Sequence, residues 1–530
     1  MPELNHRTGR AGNNLKNKPA MNGAEESDRV IVPTKAENEA LEKHRAEDSL
    51  EGRTRAKENA GQTHTYPTQR GSRVSNGLDR VRRKAKADKE VRFTNLLHYV
   101  NVELLRKSYY HLQRKAAPGV DGLTWKEYET GLEERLTDLH GRIHRGAYRA
   151  QPSRRIYIPK ADGKQRPLGI AALEDKIVQQ AVVEVLNAIW EEDFLGFSYG
   201  FRPGRGPHDA LDALNVAQMG RVNWVLDADI RGFFDNMSHE WTMQFVQRRV
   251  ADPRLLRLIQ KWLKAGVSED GEWSATTVGT PQGAVISPLL ANINLHYVLD
   301  EWAHAWRKRW AKGEVRLVRY ADDAVLVFQY EGEAKSFLAA LRRRLAGHGL
   351  ELHPDKTRLI EFGRFAERNR RDRGETPPES FEFLGFTHLC GSTKNGKFSI
   401  VRRTSAKRMR LKLASIGEEL RRRRHQPVCE VGAWLKRVVT GYYRYYCVVG
   451  NLSSMAVFRH RLKLLWRRAL CRRGDKGKLR WNRLTPLLDR WVPFATLMHP
   501  LPQERFAVKH PRWKPDAGNP PVRFCPGGAS

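Results

Sequence analysis

The sequence predicts an α+β fold. Three observations predict it. Short β-branched runs occur around residues 155–160, 222–230 and 316–328. Stretches with apolar residues at helical spacing separate them. Beyond residue 402 the pattern is almost wholly helical and strongly basic. Strands mixed with helical layers and followed by helices alone indicate α+β architecture rather than a parallel α/β sheet.

Residues 1–90 are polar, charged and poor in aliphatics, which predicts a largely disordered arm with a helical patch near 37–58. From Phe93 the texture changes. Phe93, Leu96, Leu97, Val100, Leu104 and Leu105 recur at helical spacing. A loop follows at 116–122, and residues 123–147 read as an amphipathic helix. Arg155 to Lys160 reads as a strand, Asp162-Gly163 as a turn and Gln165 to Ile170 as the returning strand. Helices are expected at 174–192, 239–265, 284–310 and 333–348, and a strand at 222–230. Strands at 381–388 and 397–401 form an expected hairpin, with a domain boundary near 400.

Charge limits the function classes. Against 60 Asp and Glu stand 94 Lys and Arg, a net of +34. An excess of that size favours a polyanionic partner, because basic contacts release counterions condensed on phosphates. No run of 18 apolar residues is present, so no membrane span is expected. The N-terminus has no apolar core of a secretory signal, and its early acids Glu3, Glu25 and Glu26 argue against a transit peptide. Cysteines stand alone at 390, 429, 447, 471 and 525, with no zinc spacing. No Gly-Lys-Ser/Thr ending follows Gly200 to Gly206, which excludes a nucleotide-hydrolysing P-loop.

The most informative stretch is Tyr320-Ala321-Asp322-Asp323, set between Arg316-Leu317-Val318-Arg319 and Ala324-Val325-Leu326-Val327-Phe328. It reads as a tight hairpin with adjacent carboxylates at its tip. Such acids repel, and a divalent cation with hard oxygen ligands removes the repulsion. A solvated Asp-Asp turn is the competing reading. A third acid is offered by Trp224-Val225-Leu226-Asp227-Ala228-Asp229-Ile230. Spacing leaves Asp227 and Asp229 equal, two residues apart on one face. Lys160 and Arg166 flank a hairpin suited to phosphates. The turn Gly279-Thr280-Pro281-Gln282-Gly283 brings an amide side chain between glycines that permit close approach to a ligand.

These pieces resemble the group II intron-encoded reverse transcriptase/maturase proteins across residues 93–450. The motifs run in order: Ala117 to Gly122, Ile158 to Ile170, Ser198 to Arg205, Asp229 to Asn236, Thr280 to Gly283, Tyr320 to Asp323, Leu352 to Thr357 and Phe383 to Phe386. The resemblance implies a right-hand polymerase, with fingers and palm over 91–400 and a helical thumb/maturase domain over 401–480. Residues 481–530 would be a basic tail or a small DNA-binding region. The resemblance places the metal acids at Asp229, Asp322 and Asp323, with a backbone contact at Ile230 and Mg²⁺ as a pair of ions. It assigns Lys160, Arg166 and Gln282 to the nucleotide, and Phe234 to a gate beneath the sugar. Residues 93–125 resemble the family's N-terminal extension and template-clamping loop, and Phe383, Leu384 and Gly385 its primer grip.

The chain departs from the pattern in lacking the paired cysteines and His-Asn-His signature of an appended endonuclease, which puts second-strand cleavage in doubt. Implied partners are group II intron RNA, an RNA template with its DNA primer, target DNA and deoxynucleoside triphosphates, in a bacterial, nucleoid-associated cytoplasmic setting. Arg402, Arg403, Lys407, Arg408 and Arg421, Arg422, Arg423 and Arg424 form the expected RNA track, since a solvated face would mix signs more evenly. A polymerase adopted for host defence or repair, and an RNA-binding maturase without polymerase activity, are the alternative readings.

Overall fold

The computed structural model describes residues 71–159, 165–276, 278–393, 395–473 and 481–509. The elements run in order. Helices α1 (Gly71–Ala87), α2 (Val102–His111), α3 (Trp125–Glu129) and α4 (Leu132–His144) precede the hairpin β1 (Ser153–Pro159) and β2 (Gln165–Ile170). Then come α5 (Leu173–Asp193), α6 (Pro207–Gln218), β3 (Trp224–Ala228), α7 (Phe233–Asn236), α8 (His239–Gln247) and α9 (Pro253–Lys264). Strands β4 (Val267–Glu269) and β5 (Glu272–Ser274) lead to α10 (Ser287–Leu295), a π-helical turn (His296–Asp300) and α11 (Glu301–Trp310). The hairpin β6 (Val315–Tyr320) and β7 (Asp323–Phe328) follows, then α12 (Glu331–Ala346), β8 (Arg358–Glu361) and α13 (Ala366–Asp372). Strands β9 (Phe381–Phe383), β10 (Phe386–Ser392) and β11 (Phe398–Thr404) precede the last helices, α14 (Ala406–Arg422), α15 (Val428–Tyr446), α16 (Leu452–Cys471), α17 (Trp481–Trp491) and α18 (Pro502–Lys509). The protein is a mixed helix-and-sheet structure, as expected.

The central sheet has the order β6-β7-β3-β8, all antiparallel. It separates two apolar clusters. Leu226, Ala228, Ala324, Leu326 and Phe328 face one with α5, α10 and α12. Val225, Val325 and Val327 face the other with α6 and the C-terminal helices. Alternate residues thus enter different cores. That is why β7 is buried along nearly its whole length and reads as a continuous apolar run.

The structure revises several expectations. The helix expected over 239–265 is two helices, because Pro253 removes an N–H and disfavours helix at the residue before it. Asp252 instead caps α9, accepting from the N–H groups of Arg254 and Leu255, while its other oxygen accepts from Leu96 and Leu97 at 2.8 and 2.9 Å. Burial pushes this carboxyl up, but those four donors hold it below the usual range. The helix expected over 284–310 carries the π turn. The hairpin near 381–401 has an additional tight turn at Leu384-Gly385, with φ 48° and 80°. The expected boundary near 400 falls inside β11, and one apolar cluster joins Ile400 to both α6 and α14. Residues 481–509 pack back rather than trail: Arg505 donates to Asp212 at 2.6 Å, and Lys509 pairs with Asp209 at 2.7 Å, on α6. Among the described residues no helix is long and apolar enough to cross a membrane.

The buried ion pair of Arg319 on β6 with Asp300 in the π turn has both side chains fully enclosed. Asp300→Ala leaves an uncompensated buried charge, and equilibrium denaturation should show a loss of ~3–5 kcal/mol.

Candidate active site at the tip of the central hairpin

The hairpin turns through Ala321-Asp322, since Tyr320 pairs with Asp323. Ala321 has φ 56°, a left-handed conformation that an alanine rarely adopts. Arg319 holds it there, its Nη1 donating to the Ala321 carbonyl at 2.8 Å. Loop 197–200 runs beside β6: Arg319 N–H donates to Phe197 O, and Tyr199 N–H to Arg319 O, each at 2.9 Å. Gly200 reaches the tip itself. A Cβ there would lie 2.2 Å from the Ala321 nitrogen, so no other residue fits.

Asp227 pairs with Val325 and Ala228 with Ala324, where β3 ends, so Asp229 is the first residue past the strand and Asp323 the residue before Ala324 on β7. Asp229 is fixed from the far side by His353, whose N–H donates to the Asp229 carbonyl at 2.8 Å. Lys356 Nζ donates to its Oδ2 at 2.7 Å. Asp322 is half-buried, and both burial and the Asp229 carboxylate raise its pKa, while Arg166 and Arg319 oppose the rise. Asp227 is pushed up to about 6, chiefly by burial, with Asp229 and Glu382 adding to it against Arg358.

Asp322 therefore lies within electrostatic reach of both Asp229 and Arg166. Among the described residues no three His, Cys, Asp or Glu side chains close into a ready metal cage. The donors present nonetheless fit a hard divalent cation. They are carboxylate oxygens, burial and repulsion raise the Asp322 pKa in the absence of a cation, and an ammonium already neutralises Asp229.

The other expected residues fall around this tip. Phe234 is half-buried in the short helix α7, its ring 5.6 Å from that of Phe233. Its carbonyl accepts from Thr280 N–H at 2.9 Å, which ties α7 to the Gln282 loop. Gln282, also half-buried, accepts from Gly169 N–H on β2 at 2.7 Å through its carbonyl. Gly169 is obligatory, since a Cβ there would lie 2.6 Å from Pro281 Cβ. The hairpin carrying exposed Arg166 is thus docked on the Gln282 loop. Lys160 lies outside the described residues. Ile230 is buried, and it bridges to Leu352. Phe383 is buried, and the Leu384 carbonyl accepts from Tyr445 Oη at 2.7 Å, so helix α15 grips the Leu384-Gly385 turn.

The basic track divides. Arg403, Lys407, Arg408, Arg421, Arg422 and Arg424 lie at exposed or partly exposed positions. Arg402 is not on the surface: at 2% exposed it lies 3.6 Å from Asp212, and burial pulls its pKa down to about 10. It is a structural cation. Arg423 is half-buried, sitting 5.1 Å from the Trp434 ring centroid and paired with Glu419. Four residues that shape the tip, Arg319, Asp300, Asn292 and Lys356, were not foreseen from sequence. Arg319 stands three residues before Asp322, which is its one local signal.

Residues 158–388 match the reverse transcriptase (RNA-dependent DNA polymerase) family model. Protein YkfC of Escherichia coli K12 is 33% identical over 356 residues, covering 60% of this chain and 88% of that protein. The group II intron-encoded protein LtrA of Lactococcus lactis subsp. cremoris is 35% identical over 221 residues, 41% of this chain and 37% of LtrA. A putative COX1/OXI3 intron 1 protein of Saccharomyces cerevisiae is 30% identical over 225 residues, 42% of this chain and 27% of that protein. The chain spans most of YkfC but well under half of the intron-encoded relatives. The Asp229 strand, the Gln282 loop and the Asp322 hairpin all lie within the family match, and the chain belongs to the group II intron reverse transcriptase/maturase family.

Proposed function

We propose that the tip formed by Asp229, Asp322 and Asp323 is where this RNA-directed DNA polymerase joins deoxynucleotides to a primer. The observation that carries the reading is the nearness of Asp229 to Asp322, with the Asp229 carbonyl held by the His353 N–H and the Ala321 carbonyl, just before Asp322, held by Arg319. Mg²⁺, as a pair of ions with Ile230 contributing its carbonyl, would lower the pKa of the primer hydroxyl and neutralise charge on the leaving pyrophosphate.

The chain's own residues do the rest. Asp229 would help hold the cation, and Lys356, which pairs with it at 2.7 Å, is exposed enough to move aside. Arg166 forks onto the triphosphate from β2, and Lys160 is the second cation proposed for it. The Gly169 contact sets the distance from that hairpin to Gln282, which lies by the nascent pair. Phe234 sits under the sugar and excludes a 2′-hydroxyl. The Phe383-Leu384-Gly385 turn steadies the primer end. Fingers and palm run from residue 91 to the end of β11, and the helices beyond form the thumb, with Arg403 on β11 and Lys407, Arg408, Arg421, Arg422 and Arg424 after it tracking RNA. By its family membership the chain binds group II intron RNA as a maturase, and target DNA during insertion.

Asp322→Asn and Asp229→Asn should each abolish primer extension on an RNA template and leave RNA affinity within a few-fold; extension by both at the normal rate would refute the metal assignment. Asp322 also gives a readout independent of activity. Its folded-state pKa lies above the unfolded value, so its contribution is full below the unfolded pKa and is lost as pH rises through the folded one. At neutral pH the ionised carboxylate therefore destabilises the fold. Asp322→Asn should raise Tm in metal-free buffer, and Mg²⁺ should raise Tm of the native chain alone. Phe234→Ala should increase ribonucleotide incorporation, and unchanged sugar selectivity would remove the gate. Charge reversal at Arg421, Arg422 and Arg424 should flatten the log-log salt dependence of RNA binding by about 0.7 for each phosphate that is no longer neutralised.

A further inference from the structure

A groove of about 860 Å³ lies between α11 and α12. One wall carries Trp302, Trp306 and Trp310, whose four-residue spacing puts them on one helix face. Their roles differ. Trp306 is 8% exposed and forms the floor, its ring edge-on to Phe337 with centroids 4.9 Å apart. Trp302 is half-buried against the same ring at 5.1 Å. Trp310 is 60% exposed, with the Arg309 guanidinium 5.2 Å from its centroid.

The opposite wall is Arg343, Arg344 and His348. Arg344 is anchored, donating to the carbonyls of Val298 and Tyr297 at 3.1 and 3.0 Å. Arg343 is exposed, as are Lys308 and Arg309 nearby. Of the acids close by, Glu331 pairs with Lys335 at 2.7 Å, and Glu333 in the lining accepts through Oε1 from the N–H groups of Lys312 and Gly313 at 2.6 and 3.0 Å and keeps its charge. Arg343, Arg344, Lys308 and Arg309 outnumber that acid, so the groove is net cationic at its rim and aromatic within.

Its position separates it from the polymerase site. Trp310 ends the helix that feeds β6, and β6 is 6 residues long before the Ala321-Asp322 turn. A strand of that length places the exposed tryptophan roughly 20 Å from the catalytic tip. An occupant with flat rings and a negative backbone matches both features. Base stacking on aromatics beside cations is how single strands are held without sequence preference, and a paired duplex cannot offer its base faces.

We propose that the α11–α12 groove is a second nucleic-acid site, which binds single-stranded RNA apart from the primer–template. This goes beyond the polymerase reading and does not depend on it.

The test uses the full chain with excess primer–template duplex filling the polymerase site, and a short fluorescein-labelled oligouridylate as probe. The probe should still bind by anisotropy. Trp310→Ala and Arg343→Glu, both at exposed positions, should each weaken that binding by about ten-fold, while extension of a preannealed primer stays at the native rate. Asp322→Asn should leave probe binding intact, so a failure of the metal assignment and a failure of the groove read out separately. Native probe binding in both groove variants would overturn the proposal, as would a proportional loss of extension. A native dimer by light scattering that Trp310→Ala dissolves would instead make the groove a contact between copies and overturn it too.

Discussion

The guanidinium of Arg319 lies wholly inside the protein, with every N–H engaged. Nε and Nη2 donate to the two oxygens of Asp300 at 2.7 and 2.5 Å. Nη2 also donates to Ser198 Oγ at 2.7 Å, and Nη1 to Asn292 Oδ1 at 3.0 Å and Ala321 O at 2.8 Å. A guanidinium has five such hydrogens, and all five have acceptors. A buried charge is tolerated only when it is matched this completely. The result is a junction of three parts of the chain. Asn292 and Asp300 come from the long interrupted helix, Ser198 from the loop before α6, and Ala321 from the hairpin tip. Asn292 extends the network by donating to Gly200 O at 2.7 Å.

This junction explains how a strained turn persists beside repelling acids. Ala321 sits in a left-handed conformation, and Asp322 is held half-buried with Asp229 near enough to raise its pKa. Neither is favourable alone, and both are imposed by the network behind them. The π turn contributes directly. It places Asp300 at its last residue, facing β6, where a regular helix would carry that position to another angle. Gly200 and Gly169 serve the same end, letting the 197–200 loop and the β2 hairpin approach the tip and the Gln282 loop without a Cβ in the way.

Much of this was legible from residues alone. Apolar β-branched runs on either side of the paired acids exposed the Asp322 hairpin, and the apolar run ending in acids exposed β3. Other elements were not legible, for identifiable reasons. Helix α6 is buried nearly all round, so it shows little amphipathic contrast. Strand β8 is a 4-residue edge strand with one charged residue at each end. Arg402 looked like its neighbours in sequence. Its burial follows from β11 lying against α6, where Asp212 waits, and that is a tertiary fact. Asp227 and Asp229 were equivalent by spacing. In the structure Asp227 lies within the paired part of β3, against Val325, and Asp229 follows the end of that strand. Arg319 was hidden because its partners lie 19, 27 and 121 residues away in sequence.

The central claim is that the Arg319 network sets the geometry in which the proposed acids act. Single-turnover incorporation by Arg319→Lys tests it most directly, because lysine keeps the charge and loses the fork. The account predicts a rate lowered about a hundred-fold, as expected for a displacement near 1 Å at the reacting groups, with primer–template affinity held near the native value. A native incorporation rate in the folded variant would contradict it.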